Sequence, residues 1–212
     1  MKSKIIFLIT IILVFSIHFI ASSQDMFNDA INFESLKHQK YFIRQEDKNG
    51  ITEGSLTVDV VPQNDDKYQV NIDFLLGEDH FTNDFVASKN DSQNLFNNLF
   101  FSNPMTMAVV MPVFAVQFML LPVTLMGGEL KEGFLWTSKE DDEELTIQVP
   151  SSEERFGFKA YWVEILKDKQ MAVRMLYSKE APLPFFVEIT DSDTLDEGLK
   201  SLYLELQEWE TN

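Results

Sequence analysis

The chain carries three histidines and no cysteine, so its stock of catalytic side chains is small. His18 falls in an apolar N-terminal run and drops out of any site. His80 follows Asp79, and a histidine beside a carboxylate is the pairing of a general base with its orienter. Neighbours on a strand point to opposite faces, however, so the pair reads as a half-exposed strand histidine. His38 has no such neighbour. Without cysteine there is no thiol nucleophile, no thiolate metal site and no disulfide. No Gly-x-Ser-x-Gly, His-Glu-x-x-His or phosphate-loop pattern occurs. Two acidic clusters remain. Lys139–Glu144 lies between two strand-like runs and reads as a solvated hairpin turn. Asp191–Gly198 has the density of a calcium loop, but its glycine falls at position eight and Leu202 stands where the twelfth-position glutamate belongs. It reads as a turn. The expectation is a non-catalytic protein with no metal and no cofactor.

Charge narrows the partners. With 17 basic and 34 acidic residues, the net charge is −17. Residues 1–23 contain Lys2 and Lys4 and no acid, so their removal deepens that charge by two. Such a surface repels phosphate backbones and anionic head groups, which excludes nucleic acid. Lys2, Lys4, the apolar run Ile5–Ile20 and the small residues Ala21-Ser22-Ser23 have the order of a secretory signal peptide. Cleavage after Ser23 is expected, with a retained signal anchor as the alternative. The mature chain, 24–212, is predicted to be one exported domain, periplasmic or extracellular, held together by its own core.

The elements that must position any site are read from periodicity. Residues 24–38 form a mixed lead-in. Tyr41–Glu46, Ser55–Val61, Tyr68–Phe74 and His80–Val86 alternate with period two, separated by Lys48-Asn49-Gly50, Gln63–Asp66 and Gly77–Asp79. These are four antiparallel strands. Gly133–Thr137, Leu145–Val149, Phe158–Leu166, Gln170–Tyr177 and Pro184–Thr190 continue the pattern. Leu202, Leu204 and Leu206 alternate with Tyr203, Glu205 and Gln207, which predicts a last strand. Leu195, Leu199, Leu202, Leu206 and Trp209 also fit helical spacing, but Gly198 and the preceding strand favour strand. The fold class is mainly β or α+β, a meander of about ten strands.

Between the fourth and fifth strands lies a charge-free insert, residues 92–128. Ser92–Phe101 predicts a short helix, and Asn103-Pro104 reads as an N-cap followed by proline at the first helical position. Pro112 and Pro122 predict a segmented helix, since each costs about 3 kcal/mol in a helix interior. Three readings stay open. A membrane span is long enough, but it would leave four strands on one side of the membrane and six on the other, with open edges. A buried core helix explains apolarity on every side. A lining for a lipophilic ligand explains Met105, Met107, Met111, Met119 and Met126, because methionine suits variable apolar partners. On a helix entering at Pro104, Met107, Met111, Phe114, Phe118 and Leu121 share one face. They are the candidate ligand-binding residues.

The exported cysteine-free meander with its apolar insert is one of three signals pointing to a family. The others are Gly157-Phe-Lys-Ala-Tyr-Trp-Val-Glu164 followed by a hairpin, and Tyr177-Ser-Lys-Glu-Ala-Pro-Leu-Pro184 leading into Phe-Phe-Val-Glu188. Together the layout resembles the periplasmic lipoprotein-carrier-like superfamily. The resemblance covers residues 40–210 as architecture. It implies a half-barrel of antiparallel strands around helices, enclosing an apolar cavity that takes up acyl chains. No diagnostic residue carries over. The expected function is binding of an acyl chain, a lipid or an apolar protein surface between sheet and insert. The alternative is a membrane-associated structural or assembly protein whose insert contacts lipid or a partner protein.

Overall fold

The computed structural model describes residues 36–64, 67–88, 130–140, 143–178, 184–190 and 198–211, with Val109, Pro112, Val113, Val116, Leu120, Ala181 and Leu195. The signal segment, the lead-in up to residue 35, the helix expected at 92–101 and the five candidate ligand residues lie outside these.

Ten strands are present: β1 (Leu36–Asp47), β2 (Ile51–Pro62), β3 (Lys67–Leu76), β4 (Asp79–Ser88), β5 (Leu135–Glu140), β6 (Glu143–Arg155), β7 (Phe158–Lys167), β8 (Gln170–Tyr177), β9 (Phe186–Ile189) and β10 (Leu199–Thr211). They form one sheet in the order β4-β3-β2-β1-β10-β9-β8-β7-β6-β5. Every neighbouring pair is antiparallel. Two meanders, β1–β4 and β5–β10, therefore meet at a central seam where the first strand pairs with the last. β4 and β5 are the two outer edges.

The seam disposes of the membrane-span reading. Ile43 lies opposite Leu204 and Phe42 opposite Glu205. Strands from before and after the insert thus share one hydrogen-bonded sheet, and no bilayer can pass between them. Among the described residues, no helix is long and apolar enough to cross a membrane.

The period of two decides which face is buried. Tyr41, Ile43, Leu56, Val58, Val70, Ile72, Ile147, Val149, Val163, Ile165, Val173, Met175, Val187, Ile189, Leu202, Leu204 and Leu206 all point into one apolar layer. Val109, Val113, Val116 and Leu120 of the insert belong to the same cluster, each no more than 4% exposed. Val109, Pro112, Val113 and Val116 are helical. The recurrence of buried residues at 109, 113, 116 and 120 is the spacing of one helix face.

Departures from regularity have local causes. β6 runs on through Pro150, well past the expected end at Val149. The register shift between Gln148 and Ser151 sets the proline in a bulge, where its missing N–H costs no ladder bond. Asp47 closes the β1–β2 turn by accepting from the amides of Asn49 (2.7 Å) and Gly50 (3.0 Å). These bonds hold its carboxyl below the usual range, the Asn49 amide contributing most. Phe156 and Gly157 both have positive φ in the two-residue β6–β7 turn, as that hairpin type requires. A phenylalanine there is strained, and its ring is held by Phe185 at 5.7 Å.

Candidate ligand site

The histidines are engaged outside the apolar layer. His38 Nδ1 donates to Asp59 Oδ1 at 2.6 Å, and His80 Nε2 donates to Asp73 Oδ1 at 2.7 Å. Both pairs bridge neighbouring strands on the outer face. His80 thus turns to Asp73 across the sheet and away from its sequence neighbour Asp79, as strand alternation requires. Lys139 and Glu144 pair at 2.7 Å across the β5–β6 hairpin, which keeps Lys139 protonated to higher pH and Glu144 ionised to lower pH. Most of Asp191–Gly198 lies outside the described residues.

The outer face has its own aromatic ribbon. Phe42, Tyr203, Phe186 and Trp162 follow one another across β1, β10, β9 and β7, with edge-on ring contacts between 5.1 and 6.0 Å. Arg44 stacks over Tyr203 at 5.6 Å and Arg174 over Trp162 at 4.5 Å. Leu176 is fully buried beneath this ribbon although it faces away from the main core. Tyr203 OH donates to Glu205 Oε2 at 2.7 Å, and Arg155 donates to Glu205 Oε1 at 3.0 Å. Burial first, and then Glu205, pushes the Tyr203 phenol up to about 12. The indole of Trp162 donates to Glu153 and the phenol of Tyr203 to Glu205, so the polar ends of the ribbon are partnered and it is a cross-strand brace.

The buried face differs in that respect. Gln39, Tyr41 and Ile43 are successive inward residues of β1, so the first two carry polar ends into the apolar layer. Gln39 is 2% exposed and Tyr41 fully buried. Trp209 of β10 stands opposite Gln39 in the register. Its indole is boxed by Phe158 at 5.2 Å and Phe185 at 6.0 Å. Gln39 Nε2, Tyr41 OH and Trp209 Nε1 are all shut off from water and have no hydrogen-bond partner among the described residues. Leaving a buried donor unpaired costs about 1–3 kcal/mol. Burial alone drives the Tyr41 phenol far above its ordinary range, so it stays neutral. The sequence held the clue, a glutamine and a tyrosine on the inward parity of β1, but the partner strand and its Trp209 could not be read from it.

No family model matches the chain, and no curated protein matches it by sequence. Several solved structures align with it over most of its length at low similarity. Superposition on MucB gives a TM-score of 0.41 with 10% identity, covering 91% of this chain and 58% of that one. A putative outer membrane lipoprotein-sorting protein domain from Vibrio parahaemolyticus gives 0.28 with 9% identity, over 90% of each chain. A LolA superfamily protein from Nitrosomonas europaea gives 0.25 with 9% identity, over 91% of this chain and 93% of the other. The chain spans little more than half the length of MucB.

Proposed function

We propose that this protein is an exported, non-catalytic domain that binds an acyl chain, a lipid or an apolar protein surface between its sheet and the insert 92–128. The observation that carries the proposal is the buried face itself. Every one of the ten strands contributes apolar side chains to it, and Val109, Val113, Val116 and Leu120 of the insert sit in the same layer. Such a face needs a cover, and a cover rich in methionine and phenylalanine adapts to apolar partners of varied shape. Met107, Met111, Phe114, Phe118 and Leu121 are the residues proposed to meet the ligand. Signal-peptide cleavage near Ser23 belongs to the same proposal, as does the single domain spanning 24–212.

A second reading draws on helix periodicity. At about 100° per residue, the stripe from Met107 to Leu121 is offset by about half a turn from Val109, Val113, Val116 and Leu120, which are buried. On one continuous helix the stripe would face away from those valines. That favours a membrane-associated assembly protein whose stripe touches lipid or a partner protein. An alkaline carbonate wash of the envelope separates the two: a carrier is released, whereas an embedded protein stays with the membrane.

The variant that tests the ligand site is Met111→Lys. A site that opens to water lets the ammonium snorkel to its mouth, so the expected outcome is a folded protein that no longer binds lipid. A closed core cannot bury the charge. A Met111→Lys protein that unfolds, together with wild type that binds no lipid, would contradict the proposal.

A further inference from the structure

We propose that Gln39, Tyr41 and Trp209 form a polar anchor at the β1–β10 seam for the uncharged oxygens of an acylglycerol. The inference rests on the ligand-binding reading above and names the chemical class of its ligand. Gln39 and Tyr41 are inward neighbours two residues apart on β1, and Trp209 lies directly across from Gln39. Opposite residues in an antiparallel pair have Cβ atoms about 5 Å apart, and inward neighbours on one strand are about 7 Å apart. The three polar ends are therefore close enough to address one small polar group.

All three ends offer hydrogens. The indole N–H only donates, the glutamine amide nitrogen donates twice, and the phenol is neutral because it is fully buried. A matching ligand brings oxygen acceptors, and an acylglycerol brings ester carbonyls and glyceryl oxygens on one end of a hydrocarbon chain. Charge then discriminates. Among the described residues no lysine or arginine pairs with any of the three, and an ionised carboxylate in an apolar layer without a cation is strongly disfavoured. The net charge of −17 opposes anionic head groups in the same direction. The surrounding Phe158 and Phe185 hold the Trp209 ring in place and supply apolar wall beside the anchor.

The test compares three competitors for a neutral fluorescent probe, 1-aminoanthracene, on protein stripped of co-purified lipid: monoolein, oleate at pH 8, and octadecene. Monoolein is expected to bind roughly tenfold more tightly than either of the others, the scale of one or two hydrogen bonds to buried donors. Tyr41→Phe is expected to weaken monoolein roughly fivefold to tenfold, leave octadecene unchanged, and leave the ligand-free melting temperature equal or higher. Gln39→Met should behave likewise. A purely structural role for these groups would lower the melting temperature without separating the competitors. Octadecene and monoolein binding equally, or Tyr41→Phe keeping full monoolein affinity, would overturn the anchor while leaving lipid binding in place. Binding of none of the three would overturn the functional reading with it.

Discussion

Gly54 sits on β2 where that strand runs against β3 so closely that a Cβ would lie 1.9 Å from the Leu75 carbonyl oxygen. The obstacle is backbone, which cannot swing aside. Gly54→Ala is therefore expected to cost about 3 kcal/mol or more, the upper end for overpacking, as a lower urea midpoint. An unchanged midpoint would mean that β2 and β3 are not paired in this register. On the same sheet, Arg174→Met removes a cation over Trp162 at a half-exposed site, and is expected to cost about 1 kcal/mol at most. At this scale the sequence was partly legible. His80 on its strand and the turn at Asn49-Gly50 follow from local rules, whereas His38 was expected in the lead-in and lies on β1. The bulge at Pro150 did not, because a proline normally stops a strand and only the neighbouring register shows how it is passed. Tyr41 opens the first strand legible from alternation and Gln39 lies just before it, and the isolation of both depends on what surrounds them in three dimensions.

β10 had two periodicities, and the partner strand decided between them. As a strand it places Leu202 and Leu204 beside Ile189 and Val187 of β9, and Leu204 and Leu206 beside Ile43 and Tyr41 of β1, completing the apolar layer from both sides. A helix would have left β1 and β9 with open edges in the middle of the sheet. Lys40 and Glu208 face each other on the outer side of this seam, 3.4 Å apart at their charged ends. Because the chain has no cysteine, the pair Lys40→Cys and Glu208→Cys can be read without interference. Opposed strand residues suit disulfide geometry, so the double variant is expected to form an internal disulfide on export, seen as faster migration on a non-reducing gel. Two free thiols in the folded protein would contradict the seam. The ten strands were legible from alternation. Their order was not, since pairing the first strand with the last is a long-range choice that no local pattern records.

The molecule as a whole is a broad sheet with an apolar face, an acidic exterior and several sheltered phenols. Tyr41 and Tyr177 are shifted up by burial, and Tyr203 is raised to about 12, all from an ordinary value of 10.0. A phenol whose folded-state pKa is raised has its stabilising effect intact below the unfolded pKa and loses it as pH rises. The urea midpoint is therefore expected to hold up to about pH 10 and fall between about 10 and 12, more shallowly in Tyr41→Phe. An identical slope in that variant would mean that Tyr41 is not buried. The decisive property of the molecule is what its apolar face holds. Gentle purification of the protein from the envelope of its own host, followed by mass spectrometry under non-denaturing conditions, asks this directly. The expected result is a complex heavier than the protein alone by one lipid, released as an uncharged acylglycerol on activation. Bare protein, which then takes up neither monoolein nor octadecene when they are added back, would contradict lipid binding.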